Sequence, residues 1–476
     1  MPNKTPAIYW IRQDLRINDN AALMAAAKGD RPVIPLYIRD DDLAGALGDA
    51  QAWWLERSLA RLGEAYDELG TGLVLKSGKP ETIIADLIEE TGAETVYWNR
   101  RYTPEGMRTD KALKQKLRDD GIDAQSFAGR ILHEPSKFET KSGGPYKVYT
   151  PFWKAFSADP RIADPQDAPD GLTAPDKQPQ SERLEDWKLY TGKPDWAAGF
   201  DDIWTPGEAA ANRQLDRFID DIAEHYASSR DRPDIEATSM LSPHLALGEI
   251  SPATIWHRVE RAKGLSSENR KKFLQELVWR DFCYHLLFHA PDLRTENWNS
   301  RFDGFAWQDN DEAFDAWTRG RTGYPIVDAG MRQLWQEGTM HNRVRMIAAS
   351  FLIKDLMIDW RKGEAWFRDT LVDADPASNP ANWQWVAGSG ADASPFFRIF
   401  NPVLQGNKFD PQGDYIRRYV PELEDMPAKH IHAPFDAPRD VLDAAGVTLG
   451  KDYPKPLVDH KKARNRALAA FEKIKD

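Results

Sequence analysis

The sequence predicts an α/β plus all-α chain: a parallel sheet flanked by helices, a long connection, then a helical remainder. Three observations predict it. Strand-sized apolar runs alternate with helix-period stretches in residues 1–130, the pattern of a parallel sheet with helices on its faces. Across 131–206, most plainly from Ala158 to Pro206, Pro, Asp, Gly and Lys replace any periodicity, as in an interdomain connection. Over 207–476 the spacing is helical almost to the end, without strand-like alternation. At 476 residues the chain exceeds one compact core, so at least two domains are expected.

The strands are expected at Ala7–Ile11, Val33–Ile38, Leu73–Leu75, Thr95–Trp98 and Ala124–Phe127. Helical patterns lie between them at Gln51–Leu69, Pro80–Glu90 and Pro104–Asp119, with Pro80 and Pro104 suited to a first helical turn. Neither G-x-G-x-x-G nor G-x-x-x-x-G-K-[ST] follows a strand, so a conventional dinucleotide or P-loop site is not expected. The turn Trp10-Ile-Arg12-Gln-Asp14-Leu-Arg16 reads as solvated, with local ion pairs worth little.

A net charge of −12 argues against a protein that coats nucleic acid by charge alone. From Gly338 to Arg418, however, ten Lys and Arg meet nine Asp and Glu, which leaves room for a local basic patch. No apolar run reaches the ~18 residues of a membrane span, and the start lacks a secretory apolar region. The single cysteine, Cys283, allows neither an internal disulfide nor a cysteine metal site. A reducing, cytoplasmic setting is expected. His285 and His289 have i, i+4 spacing without a glutamate after the first, and Asp373-Ala-Asp375 lacks the later oxygen ligand and glycine of a calcium loop; no metal is assigned.

The stretch Gly338–Pro402 concentrates the chemistry. Val344, Ile347, Ala348, Phe351 and Leu352 mark one helical face, and the apolar character continues to Ile358, as in a deeply buried helix. Asn342 and Arg345 sit in its first turns, and a buried guanidinium needs an anion; Asp373 and Asp375 follow. Trp360, Trp366, Trp383 and Trp385 belong to ten tryptophans between Trp256 and Trp385. Buried polar groups among indoles suggest a site for a large aromatic ligand. Upstream, Thr238, Ser239 and Ser242 precede a helix whose Ser242-Pro243 start reads as a cap or a phosphate loop. Glu276 lies one turn from Trp279 and Arg280.

Trp-x-Arg-x-Asp-Leu-Arg-x-x-Asp-Asn20, Thr238-Ser-x-Leu-Ser242-Pro-x-Leu, Glu276-Leu-Val-Trp-Arg280, Thr322-Gly-Tyr-Pro-Ile-Val-Asp328, Met340-His-Asn-Arg-Val-Arg345 and Asp373-Ala-Asp375 with Trp383-Gln-Trp385 resemble the DNA photolyase and cryptochrome family from Trp10 to about Lys462. The resemblance implies a flavodoxin-like antenna domain joined by a long linker to a helical FAD domain. It implies FAD contacts at Tyr226, Thr238, Ser239, Leu241, Ser242, Arg280, Asn342 and Asp375, with Arg345 paired to Asp373 and Asn379 facing flavin N5. Trp383, Trp360 and Trp307 match its electron-transfer chain. Glu276, Trp279, Asn342, Met346 and Trp385 match the pocket for a flipped cyclobutane pyrimidine dimer, a reaction that requires extrusion from the duplex. Arg230, Arg343 and Arg398 match positions that meet flanking phosphates.

The implied reaction is light-driven electron transfer from reduced FAD to the dimer, with Glu276 stabilising the charged dimer. The antenna expected is methenyltetrahydrofolate, with a deazaflavin or no pigment as alternatives, because Thr103 stands where a glutamate is expected after Asn99 and Leu293–Asp303 lacks the expected lysine. The wording around Asp373–Trp385 is closer to class III photolyases and plant cryptochromes than to folate class I enzymes. A photolyase for (6-4) lesions is expected to show histidine near Met346, where the sequence has Met-Ile. A cryptochrome photoreceptor is the alternative; Asn379, Met346, Trp385 and the lack of an extended tail favour repair. A dark flavin redox enzyme would bring a nicotinamide site, and none is visible. The expected partner is UV-damaged DNA, the expected form a monomer, with no membrane association.

Overall fold

The computed structural model describes residues 4–40, 47–192, 195–393 and 397–475. Five parallel strands form one sheet: β1 Ala7–Ile11, β2 Val33–Arg39, β3 Val74–Ser77, β4 Thr95–Asn99 and β5 Asp123–Phe127. Their order is β3-β2-β1-β4-β5, and Ile8 of the central β1 stands level with Ile34 on one side and Val96 on the other. Every residue of β1 is buried, as expected of a strand covered on both faces. The five expected strands are all present, with ends moved by a residue or two. The short helix Ala21–Ala27, capped by Asn20, is additional; seven residues give too little period to show.

The turn after β1 differs most from expectation, because Arg12, Asp14 and Arg16 are buried. Asp14 accepts from Tyr9 and Asn99 at 2.6 Å each, and from the Arg12 amide at 2.8 Å. Arg12 pairs with Asp110 at 2.9 Å and lies 4.3 Å from the Trp10 ring centroid. Arg16 donates to the carbonyls of Gly129, Gly248 and Asp19. The strand order reverses between β1 and β4, where open α/β sheets usually receive a ligand. Here side chains of the chain itself meet at that point. The partners come from far along the chain, so local sequence could not announce the burial.

Packing divides the chain into one unit of residues 1–193, 204–224 and 239–291 and another of 194–203, 225–238 and 292–476. The division does not follow the expected boundary at 206. Helix Ser267–His289 belongs with the sheet because its Tyr284 hydroxyl accepts from Arg130 at 2.6 Å and its Asp281 from the Leu132 amide at 2.7 Å. The connection also carries structure: helix Tyr149–Ala158 buries Phe152 and Phe156, and Phe152 packs 5.2 Å from Phe282.

In the second unit, the apolar run after Asn342 is not one helix to Ile358. Helix Asn342–Ser350 passes into a π-helical turn at Phe351–Asp355, and Met357 at φ +58° breaks it. The following helix is Trp360–Thr370. The Thr322–Asp328 motif is a staple: buried Asp328 accepts from the Thr322 amide (2.7 Å) and hydroxyl (2.6 Å), the Gly323 amide (3.0 Å) and Tyr453 (2.6 Å). Gly323 has φ +77°, and a Cβ there would meet the Lys455 backbone at 2.5 Å.

Candidate functional site

Three helices of the second unit carry the polar set. His341 caps helix Asn342–Ser350, its Nδ1 accepting from the Arg343 amide at 3.2 Å. Asn342, Arg345 and Met346 then fall at i, i+3 and i+4, on one face; Asn342 is exposed and the other two are half-buried. Arg345 Nη2 donates to both Asp373 oxygens, at 3.1 and 2.9 Å, while Nε donates to the Met340 carbonyl at 2.7 Å. The expected pair is therefore formed, with the charge assistance that makes such contacts strong. Asp375 Oδ1 accepts from the amides of Ala377 and Ser378, at 2.9 and 2.8 Å, and so closes the start of helix Ser378–Ala387.

Asn379 stands on that helix and is oriented by a residue that sequence reasoning missed. Its Nδ2 donates to the carbonyl and to Oε1 of Glu364, at 3.1 and 2.9 Å. Glu364 is buried on helix Trp360–Thr370, and burial pushes its carboxyl above the usual range, opposed by nearby Arg368. With Nδ2 engaged, Asn379 keeps Oδ1 without a partner among the described residues. Arg345 likewise keeps Nη1. One fixed acceptor and one fixed donor suit the polar edge of a flavin. A glutamate within an otherwise apolar helical face was the available signal.

The three chain tryptophans differ in burial. Trp360 and Trp383 are buried in the principal core cluster of this unit, and half-buried Trp307 packs against it. Trp360 Nε1 donates to Asn297 at 2.9 Å. Trp383 lies 4.9 Å from Phe367 and 6.3 Å from Trp317, edge to face in both cases. Trp307 lies 4.5 Å from Phe305. Trp385 is half-buried against the same cluster.

The three arginines expected to meet phosphates are not alike. Arg398 is exposed, its carbonyl held by Lys354. Arg230 and Arg343 converge on Asp231, at 3.8 and 2.7 Å. Arg343 also lies 4.4 Å from the Phe409 ring and donates to Met346 Sδ at 3.8 Å. The Arg230 guanidinium stands 5.4 Å from the ring of buried Tyr226. A phosphate contact by Arg230 or Arg343 thus exchanges a carboxylate partner. Thr238 also belongs to this unit and is half-buried.

Of the remaining residues, those of the first unit form two groups. Ser239 accepts at its carbonyl from Gln214 (2.9 Å) and at Oγ from the Leu241 amide (3.4 Å); Met240 between them has φ +52°. Leu241 is buried and Ser242 exposed. Glu276, Trp279 and Arg280 are each half-buried on one face of helix Ser267–His289. Lys272 pairs with Glu276 at 3.1 Å. Arg280 donates to the carbonyls of Arg130 and Leu245, at 2.8 and 3.4 Å, which ties it to the helix following the Ser239–Ser242 loop. Tyr149 was missed: its ring lies 4.5 Å from Trp279, and its hydroxyl donates to the Gln275 carbonyl. In the antenna stretch, Asn99 is buried against Asp14 and Asn20, and Thr103 caps helix Pro104–Asp119.

Residues 7–170 match the family described as DNA photolyase, and residues 273–473 the FAD binding domain of DNA photolyase. The chain belongs to the DNA photolyase and cryptochrome family. It is 63% identical to a deoxyribodipyrimidine photo-lyase of Agrobacterium fabrum, over 99% of this chain and 98% of that protein. It is 37% identical to Cryptochrome-2 of Arabidopsis thaliana, covering all of this chain and 80% of that one. Its fold superposes on a class III photolyase from Agrobacterium tumefaciens with TM-score 0.98, at 63% identity, covering 100% and 98% of the two chains.

Proposed function

We propose that this chain repairs cyclobutane pyrimidine dimers in DNA, using light and reduced FAD. The observation that carries the proposal is the orientation of Arg345 by Asp373 and of Asn379 by Glu364, in a chain 63% identical to a deoxyribodipyrimidine photo-lyase. When bound, reduced FAD would supply a light-excited electron donor to the dimer, whose two C–C bonds joining the pyrimidines open before the electron returns, with no net redox change. Tyr226, Thr238, Ser239, Leu241, Ser242, Arg280, Asn342, Arg345, Asp373, Asp375 and Asn379 hold the cofactor in this reading. Fixing the Asn379 amide leaves Oδ1 as an acceptor for an N–H, and Arg345 adds positive charge opposite an electron-rich ring. Because both are locked by neighbours, little reorganisation accompanies charge movement.

Trp279, Met346 and Trp385 supply flat, polarisable surface to an extruded dimer, Asn342 and Glu276 its polar contacts, and Arg230, Arg343 and Arg398 the flanking phosphate contacts. Trp307, Trp360 and Trp383 would conduct, one at a time, the two electrons that return oxidised FAD to the reduced form, drawn from an external reductant such as a thiol. The antenna in this reading is methenyltetrahydrofolate. The absorption spectrum of the intact protein tests this; flavin bands alone, from protein retaining all bound pigment, would overturn it.

The repair test mixes chemically reduced protein with dimer-containing single- and double-stranded DNA and compares illuminated with dark samples. Light-dependent loss of dimers is expected. Binding without such loss would overturn repair and favour photoreception, for which the 37% identity to Cryptochrome-2 is the supporting observation.

A further inference from the structure

Gly363 occupies the interior of helix Trp360–Thr370, one turn beyond Trp360. Glycine there costs about 1 kcal/mol relative to alanine, and no left-handed backbone requires it. Its neighbour does. A Cβ on residue 363 would stand 2.2 Å from Trp383 Cη2, 2.5 Å from Trp383 Cζ3 and 2.7 Å from Leu352 Cδ2. Side-chain carbons do not approach that closely, so an alanine would drive the outer edge of the indole away by roughly 1 Å, in a core packed too densely to absorb the shift. The indole has little choice of direction. Phe367, one turn further along the same helix, meets it at 4.9 Å and 72°, and Trp317 meets it at 6.3 Å and 71°.

We infer that Gly363 is a positioning residue that sets how closely Trp383 approaches the helix beginning at Trp360, and thereby the ease with which an electron passes along the indoles. The inference rests on the proposed roles of Trp383 and Trp360. A glycine retained only for packing would alter stability and leave electron passage alone. A spacing residue alters the rate of photoreduction even where the protein stays folded and loaded with FAD.

The test compares FAD-loaded wild type with Trp383→Phe, Gly363→Ala and the double variant Gly363→Ala/Leu352→Ala. The double variant removes the Leu352 Cδ2 contact that a Cβ at residue 363 would also meet, so that a second carrier of the clash with Trp383 is at hand if Gly363→Ala alone does not fold. Two readouts are taken: light-driven reduction of oxidised FAD with an external thiol as donor, and repair of dimer-containing DNA per bound FAD after chemical reduction. Photoreduction should slow several-fold in the Gly363 variants, with repair retained. Wild-type photoreduction in folded Gly363 variants, alongside a loss in Trp383→Phe, would overturn the spacing role and leave the indole chain standing. Wild-type photoreduction in Trp383→Phe as well would overturn the chain itself, and the inference with it.

Discussion

Replacing Asp231 with asparagine should tighten binding to damaged DNA and steepen its dependence on salt. Arg343 Nη2 donates to this carboxylate at 2.7 Å and Arg230 Nε stands 3.8 Å from it; the Asp231 side chain is 39% exposed. At that exposure the ion pair with Arg343 contributes no more than about 1 kcal/mol, so a DNA phosphate can take the carboxylate's place at modest cost. Neutralising Asp231 removes the competitor and one negative charge facing a polyanion. Affinity should then rise by about 1 kcal/mol, roughly fivefold. The slope of log K against log salt should steepen by about 1 for each arginine released to a phosphate. Fluorescence anisotropy of a labelled dimer-containing duplex, titrated in the dark between about 50 and 200 mM salt, measures both. Unchanged affinity and slope would mean that neither arginine meets a phosphate. Weaker binding would mean that the carboxylate positions them for contact. Either result refutes the reasoning.

Three further outcomes are expected. Asp328→Asn should destabilise the protein by about 2–4 kcal/mol, because an amide cannot accept from all four of the donors that the carboxylate satisfies; an unchanged thermal transition would contradict this. Tyr149→Ala should weaken dimer binding by about 1 kcal/mol through loss of its edge contact with Trp279, with Tyr149→Phe close to wild type; equal binding by all three proteins would count against it. Acid should weaken the second unit between pH 6.5 and about 4. Burial lowers His341 and His432 from 6.5 to about 4, so the unfolded chain binds more protons in that window and stability is lost as pH falls through it. Asp410, raised to about 6 by burial, opposes this, gaining stability as pH falls from about 6 toward 3.8. Protonated His341 also loses the Nδ1 acceptor that caps the helix carrying Arg345. His341→Asn, which keeps a capping oxygen without titrating, should flatten the acid loss of stability and of bound FAD; an unaltered pH profile would exclude His341 as its source.

The sheet was legible because its signal is local: runs of β-branched and aromatic residues such as Ala7–Ile11 need only their neighbours to be recognised. The site was legible to the extent that its residue types are costly where they stand. A guanidinium at Arg345 in an apolar run calls for an anion, and Asp373 supplies it. What stayed hidden were partners. Asn379 is oriented by a glutamate 15 residues away and Arg343 is held by an aspartate 112 residues away; neither spacing is a pattern. The Arg12–Arg16 turn was misread for the same reason, since local spacing cannot report that Asp110, Gly129 and Gly248 converge on it. Gly363 represents the limiting case, because a residue that acts by lacking a side chain leaves no chemical mark until the indole against it is in view. In the segment from Gly338 to Pro402, apart from residues 394–396 outside the described range, the sequence therefore exposes which groups are chemically out of place. The fold adds what holds each at its angle, and in an electron-transferring protein distance and angle are what the side chains contribute.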